Sequence, residues 1–158
     1  MTGEKIYFII NPNSKSSLGA RIWRRIHRDL KAEHYLPGRE YDYFFTDAPG
    51  DASRIARILT DPDLFTDPES RLLLFVVGGD GTLNEVMNGI RMESRQHIMI
   101  GYIPAGSGND FYRGAGGIEP GQVISVIRGF CGLQPMDYAS MQVVGPVKSI
   151  RNFICYII

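Results

Sequence analysis

Eight consecutive residues, Gly78-Gly79-Asp80-Gly81-Thr82-Leu83-Asn84-Glu85, carry the strongest chemical signal in the chain. Glycines admit positive φ and let backbone N–H groups come close to a polyphosphate. A helix starting behind them adds a dipole that favours anions. Asp80 inside such a cradle would repel phosphate unless a cation lay between them, so it points to Mg²⁺ or to proton transfer. The competing reading is purely structural: Thr82 and Glu85 match a capping box, and Gly78 could simply turn the chain.

A second turn of the same kind is Pro104-Ala105-Gly106-Ser107-Gly108-Asn109-Asp110-Phe111. Two glycines free its backbone, and Ser107 offers a hydroxyl to a phosphate or a ribose. Here too a structural reading competes, with Ser107 capping the next helix and Asp110 as its partner. Asn11-Pro12-Asn13-Ser14-Lys15 is a weaker candidate: amides, a hydroxyl and an ammonium suit phosphates, but they are also ordinary loop residues. Thr46 is similarly ambiguous. Two other nucleotide templates fail. No GxxxxGK[ST] occurs, and Gly114-Ala115-Gly116-Gly117 lacks the preceding strand that a dinucleotide fingerprint needs.

The elements that must hold these turns alternate. Lys5 to Ile10 reads as a buried strand ended by Asn11-Pro12. A helix is predicted from about Leu18 to His34, with Leu18, Ile22, Ile26 and Leu30 inward and Arg21, Arg24, Arg25 and Arg28 outward. Trp23 and His27 border that stripe as packing residues. Glu40 to Phe45 is a second strand. Thr46 to Gly50 forms a turn, and Asp51 is expected to cap a helix reaching Leu59. The two-proline segment after it is a surface loop. Arg71 to Val77 is apolar without alternation, as in a central parallel strand covered on both faces. Helix to Ile90, strand over Ile98 to Ile103, a further helix, and helix over Pro120 to Phe130 follow.

The fold class is therefore α/β, an open and mostly parallel sheet with helices on both faces. Ligands in such sheets bind beyond the carboxyl ends of the strands. The loops after Ile10, Phe45, Val77 and Ile103 all fall there, so they are expected to converge on one crevice. After Gly132 the pattern changes. Met136 to Val144 and Ser149 to Ile158 read as two strands with no helix between. Residues 1–131 are taken as a nucleotide-binding domain and 132–158 as the first strands of a β-rich second domain. The apolar ending FICYII suggests a truncated chain whose last strand stays exposed or is covered by another copy, as in a homo-oligomer.

Composition narrows the class. The 158 residues carry 17 basic and 17 acidic side chains, so no global field draws the chain to nucleic acid, and phosphate binding must be local. No stretch is long enough to span a bilayer. Cys131 and Cys155 lack metal or redox spacing and fit thiols in a reducing compartment, the cytoplasm. The three histidines are scattered, and no zinc site forms.

Taken together, NPNSK, GGDGTLNE and PAGSGNDF, running on to Asp137, resemble the catalytic domain of diacylglycerol kinases, sphingosine kinases and related bacterial lipid kinases. GGDGT is shared with NAD kinases and phosphofructokinases, whose nucleotide domains have the same general architecture. The trailing NEV, the early NP and the later GNDF make the lipid-kinase resemblance more specific.

The resemblance implies an ATP site between a smaller α/β domain and a larger β-sandwich. Asn11, Pro12, Asn13, Ser14, Lys15, Thr46, Gly79, Asp80, Gly81, Thr82, Leu83, Asn84, Glu85 and Ser107 would line the nucleotide. Asp80 would be the catalytic residue near the transferred phosphate and its Mg²⁺. It also implies a lipid acceptor met at the inner membrane face, and a base and further metal carboxylates beyond Ile158, so that the piece alone would be inactive. Two departures stand out: Lys15 where a glycine is common, and Ser107 for a usual threonine. An NAD kinase-like small-molecule kinase and a non-catalytic nucleotide-binding domain are the alternatives. In NAD kinases the comparable Asn-Glu pair comes well after the turn, not at once as Asn84-Glu85 does. A pure interaction domain would give no reason for two phosphate-type turns.

Overall fold

The computed structural model describes residues 4–32, 40–129, 138–143 and 151–156. Four strands, β1 (Glu4–Ile10), β2 (Tyr41–Phe45), β3 (Arg71–Gly78) and β4 (Ile98–Pro104), form one sheet in the order β2-β1-β3-β4. Every pairing in it is parallel. Parallel neighbours need a crossover, and helices α1 (Ser14–Ala32), α2 (Asp51–Leu59) and α3 (Asp80–Gly89) supply those between the strands. Two shorter helices, α4 (Asp110–Ala115) and α5 (Val123–Gly129), follow β4.

Side-chain alternation along the strands divides the core in two. Ile6, Phe8 and Ile10 of β1 join Leu73, Phe75 and Val77 of β3 beneath α1 and α5. Ile9 of β1 joins Leu72, Leu74 and Val76 of β3 beneath α2 and α3. Helices thus cover both faces, and Leu72 to Val77 are wholly buried as their unbroken apolar run predicts. Each such side chain contributes roughly 1.5–3 kcal/mol on burial, which makes β3 the axis of the domain. Trp23 is buried against Phe8, with ring centroids 5.0 Å apart. His27 lies beside Trp23, half-buried, its pKa lowered by burial and then by Lys31.

Several local expectations give way to tertiary contacts. The long helix is described as far as Ala32, and residues 33 and 34 lie outside the described set. Asp51 does not cap α2; the N-cap is Gly50, and the Asp51 carboxylate turns back onto the preceding loop. Thr82 and Glu85 make no capping box, because α3 already starts at Asp80 behind Gly79. Ser107 does not cap α4, whose N-cap is Asn109 in the left-handed region. The predicted helix over 120–130 is a short 3₁₀ turn, Pro120–Gln122, leading into α5.

Strands β5 (Tyr138–Val143) and β6 (Arg151–Tyr156) pair antiparallel as a separate two-stranded sheet. The proposed boundary at residue 131, Cys131, His34, Asp137 and the final Ile157 and Ile158 lie outside the described residues. Among the described residues no helix is long and apolar enough to cross a membrane.

Candidate functional site

The chain leaves β1 toward one neighbour, β2, and then crosses to β3 on the other side of β1. At such a switch point the loops after β1 and β3 depart to opposite faces and leave a crevice. A cleft of about 440 Å³ opens there. Its wall takes residues from the ends of all four strands: Asn11 and Asn13 to Lys15 after β1, Thr46 to Pro49 after β2, Gly79, Gly81, Thr82 and Glu85 after β3, and Gly106 after β4. The convergence expected from the sequence is present.

Asn11 organises the first loop rather than only lining it. Its backbone N–H donates to the Val77 carbonyl at 2.9 Å, continuing the sheet. Its Nδ2 donates to Thr82 Oγ1 at 3.1 Å, tying the loop to α3 across 71 residues of sequence. Its own Oδ1 accepts from the Asn13 N–H, and its carbonyl accepts from Ser14 Oγ. Gly19 packs against that carbonyl so closely that a Cβ would overlap it.

Between these contacts Lys15, Ser16 and Ser17 all take positive φ, 38°, 53° and 67°, so the regular helix starts at Leu18. Left-handed backbone costs an L-residue about 1–2 kcal/mol. Glycine would take this conformation at Lys15 without that cost. The lysine side chain lines the cleft. Lys15→Gly is expected to raise thermal stability by about 1 kcal/mol while removing a cation from the cleft, so that affinity for a polyphosphate falls. Melting curves and nucleotide calorimetry on the same variant check both signs; a lower melting temperature would show that the backbone there is unstrained.

The loop after β2 is held by Asp51, whose Oδ2 accepts from the N–H groups of Asp47 and Ala48 at 2.9 and 3.2 Å. Those two bonds, with Arg54 beside it, hold the carboxyl below its ordinary value of 3.8. The stabilisation is therefore present above that value and is lost as pH falls below it.

At the third loop α3 begins with no side-chain cap, and Gly79, Gly81 and Thr82 at its start line the cleft. Gly79 and Gly106 touch: a Cβ on Gly106 would lie 2.6 Å from the Gly79 Cα. The two glycine-rich turns are therefore one surface.

Asp80 fastens them. Its Oδ2 accepts from the Asp110 N–H at 2.9 Å, and its Oδ1 accepts from the Phe111 N–H at 3.3 Å and from the Tyr102 hydroxyl at 3.4 Å. It caps α4 from 30 residues away, while Asn109 Oδ1 closes the second turn on the Gly106 N–H at 2.9 Å.

Of the residues singled out, Asn11, Asn13, Ser14, Lys15, Thr46, Gly79, Gly81, Thr82 and Glu85 line the cleft together. Pro12, Asp80, Leu83, Asn84 and Ser107 do not. Leu83 is buried between α2 and α3, and the Asn84 side chain pairs with Asn88 one turn on. Ser107 is exposed at the tip of its turn. Asp47, Ala48, Pro49, Ala52 and Gly106 also line the cleft. The signal for the first three was Thr46 itself, since a flagged strand end brings its whole turn along. Among the described residues no three His, Cys, Asp or Glu side chains come together as a metal site.

Known proteins with the same turns confirm the kinship. The chain is 38% identical over 112 residues to the Bacillus subtilis protein named "Putative lipid kinase YtlR", covering 68% of this chain and 32% of that one. It is 38% identical over 105 residues to the diacylglycerol kinase of Staphylococcus carnosus, covering 66% of this chain and 30% of the relative. A crystal structure described as "a putative diacylglycerol kinase from Bacillus anthracis str. Sterne" superposes with a TM-score of 0.51 at 27% identity, over 72% of this chain and 34% of the other. The chain thus spans about a third of the length of the curated relatives it matches. Residues 5–141, which include all four loops of the cleft, match the diacylglycerol kinase catalytic domain, and the chain belongs to that family.

Proposed function

We propose that this chain is the nucleotide-binding part of an ATP-dependent lipid kinase that phosphorylates the hydroxyl of a diacylglycerol-like lipid. The observation that carries the reading is the joined pair of glycine turns, Gly79 against Gly106, lying beside the uncapped start of α3 at the switch point of the sheet. Backbone N–H groups there suit phosphate oxygens, and Lys15 adds a mobile positive charge. Asn13 and Thr46 offer further polar contacts in the cleft.

The reaction forms a bond between the lipid oxygen and the γ-phosphorus as the bond to the ADP oxygen breaks. The hydroxyl proton passes to a general base. Catalysis of this kind is mostly positioning and charge stabilisation. Among the described residues no three His, Cys, Asp or Glu side chains converge around Asp80, whose oxygens accept from two N–H groups and the Tyr102 hydroxyl. The ion belongs to the Mg-ATP substrate. Its charge would offset Asp80 and Glu85, so the cleft should prefer Mg-ATP to free ATP.

Calorimetry on the chain with ATP, with and without Mg²⁺, is expected to show binding that strengthens with the ion. Absence of heat and of any thermal shift at millimolar Mg-ATP would remove the nucleotide reading. For the acceptor, the full-length protein given Mg-ATP and diacylglycerol in mixed micelles should yield a phosphorylated lipid; label appearing on NAD instead would favour the small-molecule kinase.

A further inference from the structure

Helix α1 carries six basic residues, Lys15, Arg21, Arg24, Arg25, Arg28 and Lys31, against one acid, Asp29. Its net charge of +5 sits in a chain whose net charge is zero. From Arg21 onward the basic residues recur at i, i+3, i+4, i+7 and i+10, one unbroken stripe, and all five are exposed. The buried stripe of Trp23, Ile26 and Leu30 occupies the other side. Like charges at these spacings repel and weaken the helix. Asp29 is the one acid paired with the stripe among the described residues, and Arg28, its partner, is 74% exposed. A solvated helix face would ordinarily mix signs; this one does not.

An aromatic rim adjoins the stripe. Tyr43 packs on Trp23 with centroids 4.9 Å apart, and Phe45 lies 5.7 Å from Tyr43 along the edge strand β2. Tyr43 and Phe45 are nevertheless 43% and 44% exposed. Strand alternation puts both on the α1 side of the sheet and Asp42 on the opposite side, so no acid interrupts the rim. Arginines beside half-exposed aromatic rings suit a surface that is anionic at its headgroups and apolar just beneath.

We propose that the arginine stripe of α1 and the Tyr43–Phe45 rim form a docking surface for an anionic lipid bilayer. The choice of a bilayer rests on the lipid-kinase reading, and the aromatic rim favours it over nucleic acid. The Tyr43 ring is already packed between Trp23 and Phe45, which leaves it poorly placed to stack a base. The regular part of α1 also starts at the loop that walls the cleft, with Arg21 only about 5 Å further along the helix axis. Docking would therefore bring the cleft close to the membrane that holds the acceptor.

Sedimentation of the 158-residue chain with vesicles, without nucleotide, tests this directly. The chain is expected to bind phosphatidylcholine vesicles containing phosphatidylglycerol at least about tenfold better than phosphatidylcholine alone, and to be released by high salt. Arg24→Glu with Arg28→Glu should abolish that preference, and Tyr43→Ser with Phe45→Ser should weaken binding to both vesicles. Arg24→Gln with Arg28→Gln serves if the reversal fails to fold, as circular dichroism would show. Neither arginine lines the cleft, so Mg-ATP calorimetry on the arginine variants should match the parent chain. If the nucleotide reading alone is wrong, the calorimetry fails and the vesicle result stands. Equal binding to the two vesicles, or no loss in a folded charge variant, overturns the proposal. So does stronger binding to a single-stranded oligonucleotide than to the anionic vesicle, or self-association that buries the same residues.

Discussion

Asp80→Asn in the full-length protein is expected to lower turnover about a hundredfold while leaving a folded domain. The carboxylate accepts from two backbone N–H groups at the start of α4 and from the Tyr102 hydroxyl. An amide keeps one acceptor oxygen and turns an NH₂ toward a donor, so one of these bonds becomes a donor–donor contact. Loss of one such bond costs about 1–3 kcal/mol, which a domain of this size survives. The larger consequence is positional. The second turn, with Gly106 at the cleft wall, would shift relative to the first, and a displacement of about 1 Å at reacting atoms can cost a hundredfold. Steady-state kinetics beside a melting curve would separate the two effects. A near-normal rate in a folded Asp80→Asn protein would show that these contacts do not set the geometry of the site. Tyr102→Phe, which removes only the 3.4 Å bond, should cost much less.

Gly106→Ala is expected to impair both nucleotide binding and stability. The added methyl would lie 2.6 Å from the Gly79 Cα and 2.9 Å from Asn109 Oδ1. The first neighbour is backbone and cannot rotate away, so the two turns must separate. Overpacking of this kind costs about 1–3 kcal/mol. Separation would also spread the N–H groups that the joined turns present, and Mg-ATP affinity should fall at least about tenfold. Gly81→Ala is the matched control, because a Cβ there meets nothing within 4 Å. Calorimetry and thermal melts on the pair check the difference. Equal behaviour of the two variants would mean that the Gly79–Gly106 contact is not what shapes the site.

The sequence by itself determined the architecture and the location of the cleft. Apolar runs at Lys5 to Ile10 and Arg71 to Val77 can be satisfied only by burial on both faces, which demands parallel strands covered by helices. Once strands and helices alternate, the loops at the strand ends share one edge of the sheet, and both glycine turns are such loops.

What only the tertiary structure decided is which side chains face the cleft and which hold it in shape. Local pattern offered Asp51 as the cap of its own helix and, as a competing reading, Ser107 with Asp110 as the cap of theirs, since those partners lie within a few residues. In the folded chain Asp51 bonds the turn before it, and Asp80 caps α4 from 30 residues away. Asn11 reaches Thr82 across 71 residues. A carboxylate or amide bonds whichever N–H or hydroxyl the packed strands bring within about 3 Å, and that proximity follows from the strand order, β1 between β2 and β3, which no local spacing encodes.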